Sequence, residues 1–224
     1  MKKFLGIFCC LLMLLSLPFL FSCSKKEDLT KNVSYVRQIE YRAEAEGYKV
    51  RAFYGYKETP FISDGVSKTK VYGLTFRLIG LDLTDVKYTV SLIHNQNTLQ
   101  AVFKLDQVNH CLSAFIEIED FNLDSFEATF SSGNLSQKLV LNNVVPKDTI
   151  SYNKALEYLV ENQPSLLDAY RNEQGEFNGE IHVRIVIRNN KGYWYVGLIG
   201  KDGITKALLV DGKTGEVLAI RKVA

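Results

Sequence analysis

The chain has 224 residues, of which 46% are hydrophobic and 23% charged, as is typical of a globular protein. It carries 27 basic and 25 acidic residues, and loss of an N-terminal segment containing Lys2 and Lys3 would leave 25 of each. This balance argues against a nucleic-acid-binding protein, which needs a basic surface. Four cysteines, two of them in the apolar N-terminus, are too few for a disulfide-stapled scaffold.

The N-terminus has the pattern of a secretory signal peptide. Met1-Lys2-Lys3 is positively charged, residues 4–21 are almost all apolar, and the polarity changes abruptly after Cys23. An uncleaved transmembrane helix is the alternative, because an apolar run of this length could just span a bilayer. Pro18 near the end of the run, and the cysteine at the change in polarity, favour cleavage. We therefore predict a signal peptide over residues 1–22.

The end of this segment carries a candidate site of lipid attachment. Leu20-Phe21-Ser22-Cys23 resembles a bacterial lipobox, in which the cysteine receives a diacylglyceryl group and becomes the new N-terminus. The resemblance implies a palmitate-bearing lipoprotein, held by Cys23 at a membrane of the bacterial cell envelope. Two acyl chains anchor a protein stably where one does not. The polar residues that follow predict a lipid-anchored tether over residues 23–32.

The middle of the chain, residues 33–145, predicts a domain rich in strands. Apolar and polar residues alternate with a period of two, aromatic and β-branched residues are frequent, and turn-prone stretches lie between the runs. No helical stripe of comparable length interrupts them. Several short strands in about 110 residues predict an immunoglobulin-like β-sandwich, although the Cys…Trp…Cys pattern of antibody domains is absent.

The middle segment offers little catalytic or metal-binding chemistry. His94 and His110 lack the spacing of zinc ligands, and no CxxC or HxxxH pattern supplies others. Cys111 follows His110, but neighbouring residues of a strand point to opposite faces, which favours a structural cysteine over a nucleophile. Residues 117–120 alternate like the solvent face of a strand, which we favour over a calcium site. We predict no metal and no cofactor.

The C-terminal segment, residues 149–224, begins where the period-two pattern ends near Pro146. Leu156, Leu159 and Val160 lie at helical spacing, with Asp148 or Ser151 as N-cap, and Pro164 is predicted to open a second helical turn ending near Tyr170. A helix followed by an antiparallel meander predicts an α+β layer in which the helix covers the apolar face of the sheet. The four period-two runs of this meander are residues 181–187, 193–199, 204–210 and 216–220.

Turn residues join the last two of these runs in the sequence Leu209-Val210-Asp211-Gly212-Lys213-Thr214-Gly215-Glu216-Val217-Leu218. The Asp211 carboxylate can cap the turn, and Gly215 can adopt the left-handed conformation that leads into the last strand. Together with Tyr195-Val196 on an earlier strand, this run resembles the PepSY family. The fold class is therefore mainly β with α+β, an immunoglobulin-like sandwich followed by a PepSY-like domain.

The resemblance implies regulation rather than catalysis. PepSY domains occur in propeptides of thermolysin-like metallopeptidases and in membrane-anchored bacterial proteins, and are proposed to inhibit or moderate proteases. The sequence has no HExxH motif, so a regulated peptidase would be a separate protein, acted on in trans. We predict a non-catalytic, protein-binding lipoprotein. The alternatives are a structural module that binds a surface partner or glycan through the sandwich, and an enzyme, for which no catalytic arrangement is found.

Strand alternation also predicts a recognition surface in the meander. If residues 189–192 form a turn, Arg188 lies opposite Tyr193, and the face that carries Trp194 lies under the helix. Arg and Tyr dominate interface hot spots, so the opposite face is a candidate partner-binding surface. A solvated face with cross-strand cation–π contacts is the alternative. The candidate partner-binding residues are Arg184, Arg188, Tyr193 and Tyr195.

Overall fold

A computed structural model of the chain describes residues 27–59, 69–81, 87–201, 203 and 205–223. The predicted signal peptide, Cys23 and the first part of the predicted tether lie outside these residues. Within the described ranges, no helix has the length and apolar character needed to cross a membrane. The fold is mainly β, as the sequence predicts.

Among the described residues, nine strands precede the helix and four follow it. The first nine are β1 (Val33–Ala45), β2 (Tyr48–Glu58), β3 (Lys70–Ile79), β4 (Tyr88–His94), β5 (Asn97–Val102), β6 (Lys104–Asp106), β7 (Cys111–Glu117), β8 (Ser125–Ser132) and β9 (Leu135–Asn143). Then come the helix α1 (Tyr152–Asn162) and the strands β10 (Glu180–Arg188), β11 (Lys191–Ile199), β12 (Thr205–Asp211) and β13 (Val217–Val223). Short 3-10 turns cover Leu29–Asn32, Pro164–Leu166 and Asp168–Tyr170.

The first nine strands form two layers around one core. One layer has the order β1-β2-β3-β7-β6, and the other joins β5, β4, β8 and β9. The apolar side of each alternating strand faces the other layer, since buried Leu74 and Phe76 from the first share a cluster with Phe126 and Leu141 from the second. The two layers are also joined by main-chain pairing, because β9 pairs with β1 at Tyr41.

The last four strands and α1 surround a second core. The strands form an antiparallel meander in the order β10-β11-β12-β13. From the helix, Leu156 and Leu159 join the buried cluster that contains Trp194. Of the two N-caps considered, Ser151 is the one found, because its Oγ accepts a hydrogen bond from the Lys154 amide at 3.3 Å.

Strand β1 belongs to both cores. Its first residues pair in parallel with β10, whereas most of the strand pairs antiparallel with β2. As a result Val33 and Val36 are buried in the second core, together with Tyr56 from β2. The sequence predicts a domain boundary near Pro146. The strands on both sides of Pro146 nevertheless belong to one hydrogen-bonded sheet, because β1 pairs with β10. Local patterns carry no information about this pairing between distant strands.

The last residues of the predicted tether, 27–32, pack against the C-terminal half. The Glu27 carboxylate accepts hydrogen bonds from the Arg171 guanidinium at 2.8 and 2.9 Å and from the Phe177 amide at 2.9 Å. Leu29 is 2% exposed and packs in the second core. One apolar side chain and one ion pair therefore fix residues 27–32, the second part of the predicted lipid-anchored tether, to the C-terminal half.

The β10–β11 hairpin differs in register from the prediction by two residues. Its turn has two residues, Asn189 and Asn190, with φ of 51° and 57°. Two positive φ values mark the type I′ turn that suits the twist of a hairpin. Arg188 therefore lies opposite Lys191 rather than Tyr193. A shift of two residues keeps every side chain on its predicted face, and Trp194 is buried as expected.

Candidate partner-binding face

Two of the four candidate residues form a direct contact. Arg184 and Tyr195 are partners in the β10–β11 register, on the face opposite to buried Trp194. The Arg184 guanidinium carbon lies 4.1 Å from the centroid of the Tyr195 ring, a cation–π geometry. Tyr193 is half-buried on the same face, and Arg188 is exposed near the end of the hairpin. The structure therefore brings Arg184 and Tyr195 together and leaves the other two beside them.

Strand β1 extends this face across the middle of the sheet. Arg37 is the register partner of Arg184 on one side and of Gly55 on the other. Gly55 in turn lies opposite Gly73 in β3. One row of the face thus runs from Tyr195 through the two arginines to the two glycines. We call the following set the cationic face: Tyr35, Arg37, Arg51, Phe53, Lys57, Arg77, Phe115, Arg184, Arg188, Tyr193 and Tyr195.

Phe53 lies at the centre of three guanidinium groups. The ring is 4% exposed. The distances from its centroid to the guanidinium carbons are 4.9 Å for Arg37, 5.2 Å for Arg51 and 5.7 Å for Arg77. The quadrupole of an aromatic ring attracts cations but carries no net charge. The contacts hold the arginines in place without neutralising them.

Carboxylates neutralise only part of this charge. Glu40 is completely buried, and its Oε1 accepts hydrogen bonds from Nε of Arg42 and of Arg51, both at 2.8 Å. Asp106 lies 3.7 Å from Arg77 and also accepts two hydrogen bonds from Asn109. Within the part of the chain that the structure describes, no carboxylate forms an ion pair with either of two further guanidiniums on this face, Arg37 and Arg184.

Burial lowers the pKa of two basic groups on this face, Arg37 and His182. It lowers the pKa of the Arg37 guanidinium; Tyr35 partly opposes this effect, and the nearby positive charges of Arg77 and Arg184 add to it. His182 lies on the same face with its ring centroid 5.3 Å from that of Tyr35. Burial, followed by the charge of Arg184, lowers the pKa of His182 to about 4. At neutral pH this histidine is uncharged, so arginine and lysine supply the positive charge of the face.

A small groove opens beside Arg37. It has a volume of about 20 Å³, and its charged lining residues are Arg37 and Lys57, both positive. Thr75 adds a hydroxyl group to the lining. Nε of Arg37 is buried and has no hydrogen-bond partner among the described residues. A space of this size is enough for one water-sized group.

An aromatic ring and a glycine shape one wall of the groove. The ammonium group of Lys57 lies 4.3 Å from the centroid of the Phe115 ring. That ring lies over β3, where a Cβ at Gly73 would be 2.5 Å from the Phe115 Cζ. Glycine is therefore needed at position 73 for the ring, and with it Lys57, to take this place.

Sequence reasoning finds one end of the cationic face and misses its centre. Arg184 and Tyr195 belong to a hairpin, whose pairing follows from adjacent runs and a turn. Arg37, Phe53 and Lys57 join them only through the parallel pairing of β1 with β10. The available signal is that polar and aromatic residues occupy the non-core positions of β1 and β2, but this signal does not say which strand lies next to them.

The other sequence-predicted positions have structural roles. Asp211 Oδ1 accepts hydrogen bonds from the amides of Lys213 and Thr214 at 2.8 and 2.9 Å, and Gly215 has φ of 81°, so the turn chemistry predicted for this run is confirmed. Cys111 is buried, and burial raises the pKa of its thiol. No cluster of three or more His, Cys, Asp and Glu side chains suited to a metal occurs in the described ranges.

Comparison with protein-family models, with curated proteins and with solved structures gives no significant match. The candidate site accordingly stands on its own geometry.

Proposed function

We propose that this chain is a lipoprotein of the bacterial cell envelope that binds another protein and catalyses no reaction. Acylated Cys23 holds it at the membrane, and the cationic face is the surface that contacts the partner. The observation that carries the proposal is the concentration of arginine and aromatic side chains on one face, with Arg37 and Arg184 unpaired with any described carboxylate. Arg, Tyr and Trp are the residues on which protein interfaces most depend.

Each half of the chain also has a proposed fold type. We assign residues 33–145 to an immunoglobulin-like sandwich and residues 149–224 to a PepSY-like unit. The packing of α1 against the meander and the capped turn at Asp211 support the second assignment. A PepSY-like role makes the partner a peptidase that is moderated in trans.

The first described residues hold the folded chain at a short distance from the proposed anchor. Glu27 is fixed to the C-terminal half by its ion pair with Arg171. Four peptide units separate it from Cys23, and these span at most roughly 14 Å when fully extended. The partner is therefore a membrane protein or a protein held near the membrane surface.

The test is a binding measurement with a double variant. Arg184→Ala with Tyr195→Ala removes the cation–π pair at one end of the face, and Arg221→Ala on the edge strand β13 is the control for loss of an arginine. Wild type and both variants are tested against the protein that co-purifies with the full chain from envelope extracts. Circular dichroism on all three shows whether the fold is kept, which we expect because neither side chain of the pair lies in the core.

An unchanged affinity would direct attention to the sandwich. There, a cavity of about 460 Å³ is lined in part by the rings of Tyr48, Tyr88 and Phe130. Aromatic linings suit a glycan or an apolar ligand, which is the second function considered for this chain.

A further inference from the structure

We propose that the groove beside Arg37 receives one carboxylate from an extended acidic segment of the partner protein. The inference rests on the proposed function, because the groove lies on the face assigned to that partner. It goes further by naming the chemistry of the segment that is bound.

The charges around the groove favour an anion. Both charged lining residues, Arg37 and Lys57, are cations. No described carboxylate forms an ion pair with either of them; Glu40, for example, is bound by two other arginines, and Asp106 lies beside Arg77. An arriving carboxylate would be the first ionic partner of Arg37 among the described groups. Guanidinium and carboxylate groups match in shape and form charge-assisted hydrogen bonds.

The unpaired donor at Arg37 points to the same ligand. Its Nε is buried without a hydrogen-bond partner among the described residues. A buried donor that is left unpaired lowers stability, and a bound acceptor within reach of the guanidinium recovers part of that loss. Thr75 supplies a hydroxyl from the neighbouring strand. The groove therefore offers two charged donor groups and one neutral donor to a single acceptor group.

The size of the groove selects the end of a side chain. A volume of about 20 Å³ accommodates a carboxylate oxygen but not a sugar ring. Phe115 adds an apolar wall to the groove. This favours the tip of Glu or Asp over a glycan that would have to insert a whole residue.

The spacing of the cations favours an extended segment. Arg184, Arg37 and Lys57 lie on three adjacent strands, β10, β1 and β2, which places the outer two about 10 Å apart across the sheet. Side chains on one side of an extended peptide repeat about every 6.6–6.8 Å. A segment with acidic residues at alternate positions can therefore reach both the groove and Arg184.

The first measurement uses poly-L-glutamate as the probe, with the full chain in detergent micelles at low and at physiological salt. We expect saturable binding, weakened roughly tenfold to a hundredfold by Arg37→Gln, as the loss of a hydrogen bond to a charged group implies. Lys57→Gln changes an exposed side chain, so it can be measured even if Arg37→Gln fails to fold. It should also weaken binding. Arg221→Gln makes the same change of charge on β13 and should leave the affinity within about twofold.

Two further probes separate a peptide from other anions. Polygalacturonate presents carboxylates on a glycan, and phosphatidylglycerol vesicles present phosphates on a membrane. Stronger binding of either than of poly-L-glutamate, with the same dependence on Arg37, would overturn the assignment to a protein segment. Equal binding of poly-L-glutamate by wild type and by both groove variants would overturn the groove as an anion site.

The two sets of variants test the groove and the proposed function separately. If the groove variants bind poly-L-glutamate normally while the Arg184→Ala, Tyr195→Ala double variant loses its partner, the inference fails and the proposed function stands. If the groove variants lose poly-L-glutamate while the double variant keeps its partner, the groove is an anion site and the proposed function fails.

Discussion

At the scale of single residues, His182 makes the stability of the fold depend on pH. Its pKa is about 4 in the folded chain against 6.5 for an unperturbed histidine. Between these values the unfolded chain binds a proton that the folded chain does not. The contribution of His182 to the free energy of unfolding is therefore fully present above pH 6.5, falls by about 1.4 kcal/mol per pH unit toward pH 4, and is constant below that.

The variant His182→Phe tests this dependence, because it keeps a ring beside Tyr35 and removes the titrating group. We expect urea unfolding curves measured from pH 4 to 6.5 to show a smaller slope of unfolding free energy against pH in the variant. The carboxyl groups with lowered pKa, Asp28, Asp106 and Asp211, titrate in the folded chain below this window. Parallel plots for wild type and variant would show that folding does not lower the pKa of His182.

At the scale of elements, the β10–β11 hairpin provides a test of the register. Asn190 has φ of 57°, which glycine adopts with less strain, and Asn-Gly is the preferred pair in a two-residue type I′ turn. We expect Asn190→Gly to raise the free energy of unfolding by about 0.5–1 kcal/mol and Asn190→Val to lower it by about 1 kcal/mol or more. Chemical denaturation measures both. A stabilising Asn190→Val would contradict the two-residue turn.

Features formed by neighbouring residues could be predicted from the sequence, whereas the pairing of distant strands could not. The alternation in β10 and β11, the cap at Ser151 and the turn at Asp211 are local, so the residues that form them are neighbours in the sequence. The pairing of Arg37 with Arg184 is not local and leaves no mark on either strand. The mainly β character of the fold and the turn chemistry could therefore be predicted, whereas the centre of the candidate site could not.

Two further features, the length of the β10–β11 turn and the burial of Leu29, could not be predicted because they depend on the finished fold rather than on a local pattern. The run from Asn189 to Gly192 is compatible with a turn of four residues or of two, and only the twist of the finished hairpin favours the shorter one. The single apolar residue Leu29 in a polar stretch gives no periodic signal. Its burial in the second core comes from contacts with residues far away in the sequence.

At the scale of the whole molecule, β1 couples the two cores. Val36 and Val50 are buried, the first in the C-terminal core and the second in the N-terminal core. Trp194 is the only tryptophan of the chain and lies in the C-terminal core, so its fluorescence reports on that core. Because the sheet is continuous through β1, we expect the two cores to unfold together.

The prediction is that Val36→Ala and Val50→Ala each lower the free energy of unfolding by about 2 kcal/mol and that both shift the transition of Trp194. The measurement is urea unfolding followed by tryptophan fluorescence and by far-UV circular dichroism on the same samples. A Trp194 transition that responds to Val36→Ala alone would mean that the halves unfold separately. A Trp194 transition that is the same in Val36→Ala as in wild type would contradict the packing of β1 in the second core.

If the cationic face binds a protein partner, the Arg184→Ala, Tyr195→Ala variant should have a much lower affinity for that partner. Loss of an interface hot spot costs about 2 kcal/mol or more, so we expect a roughly thirtyfold or greater rise in the dissociation constant. Arg221→Ala should stay within about 0.5 kcal/mol of wild type. Equal affinity of the double variant and wild type, with equal circular dichroism spectra, would contradict the claim.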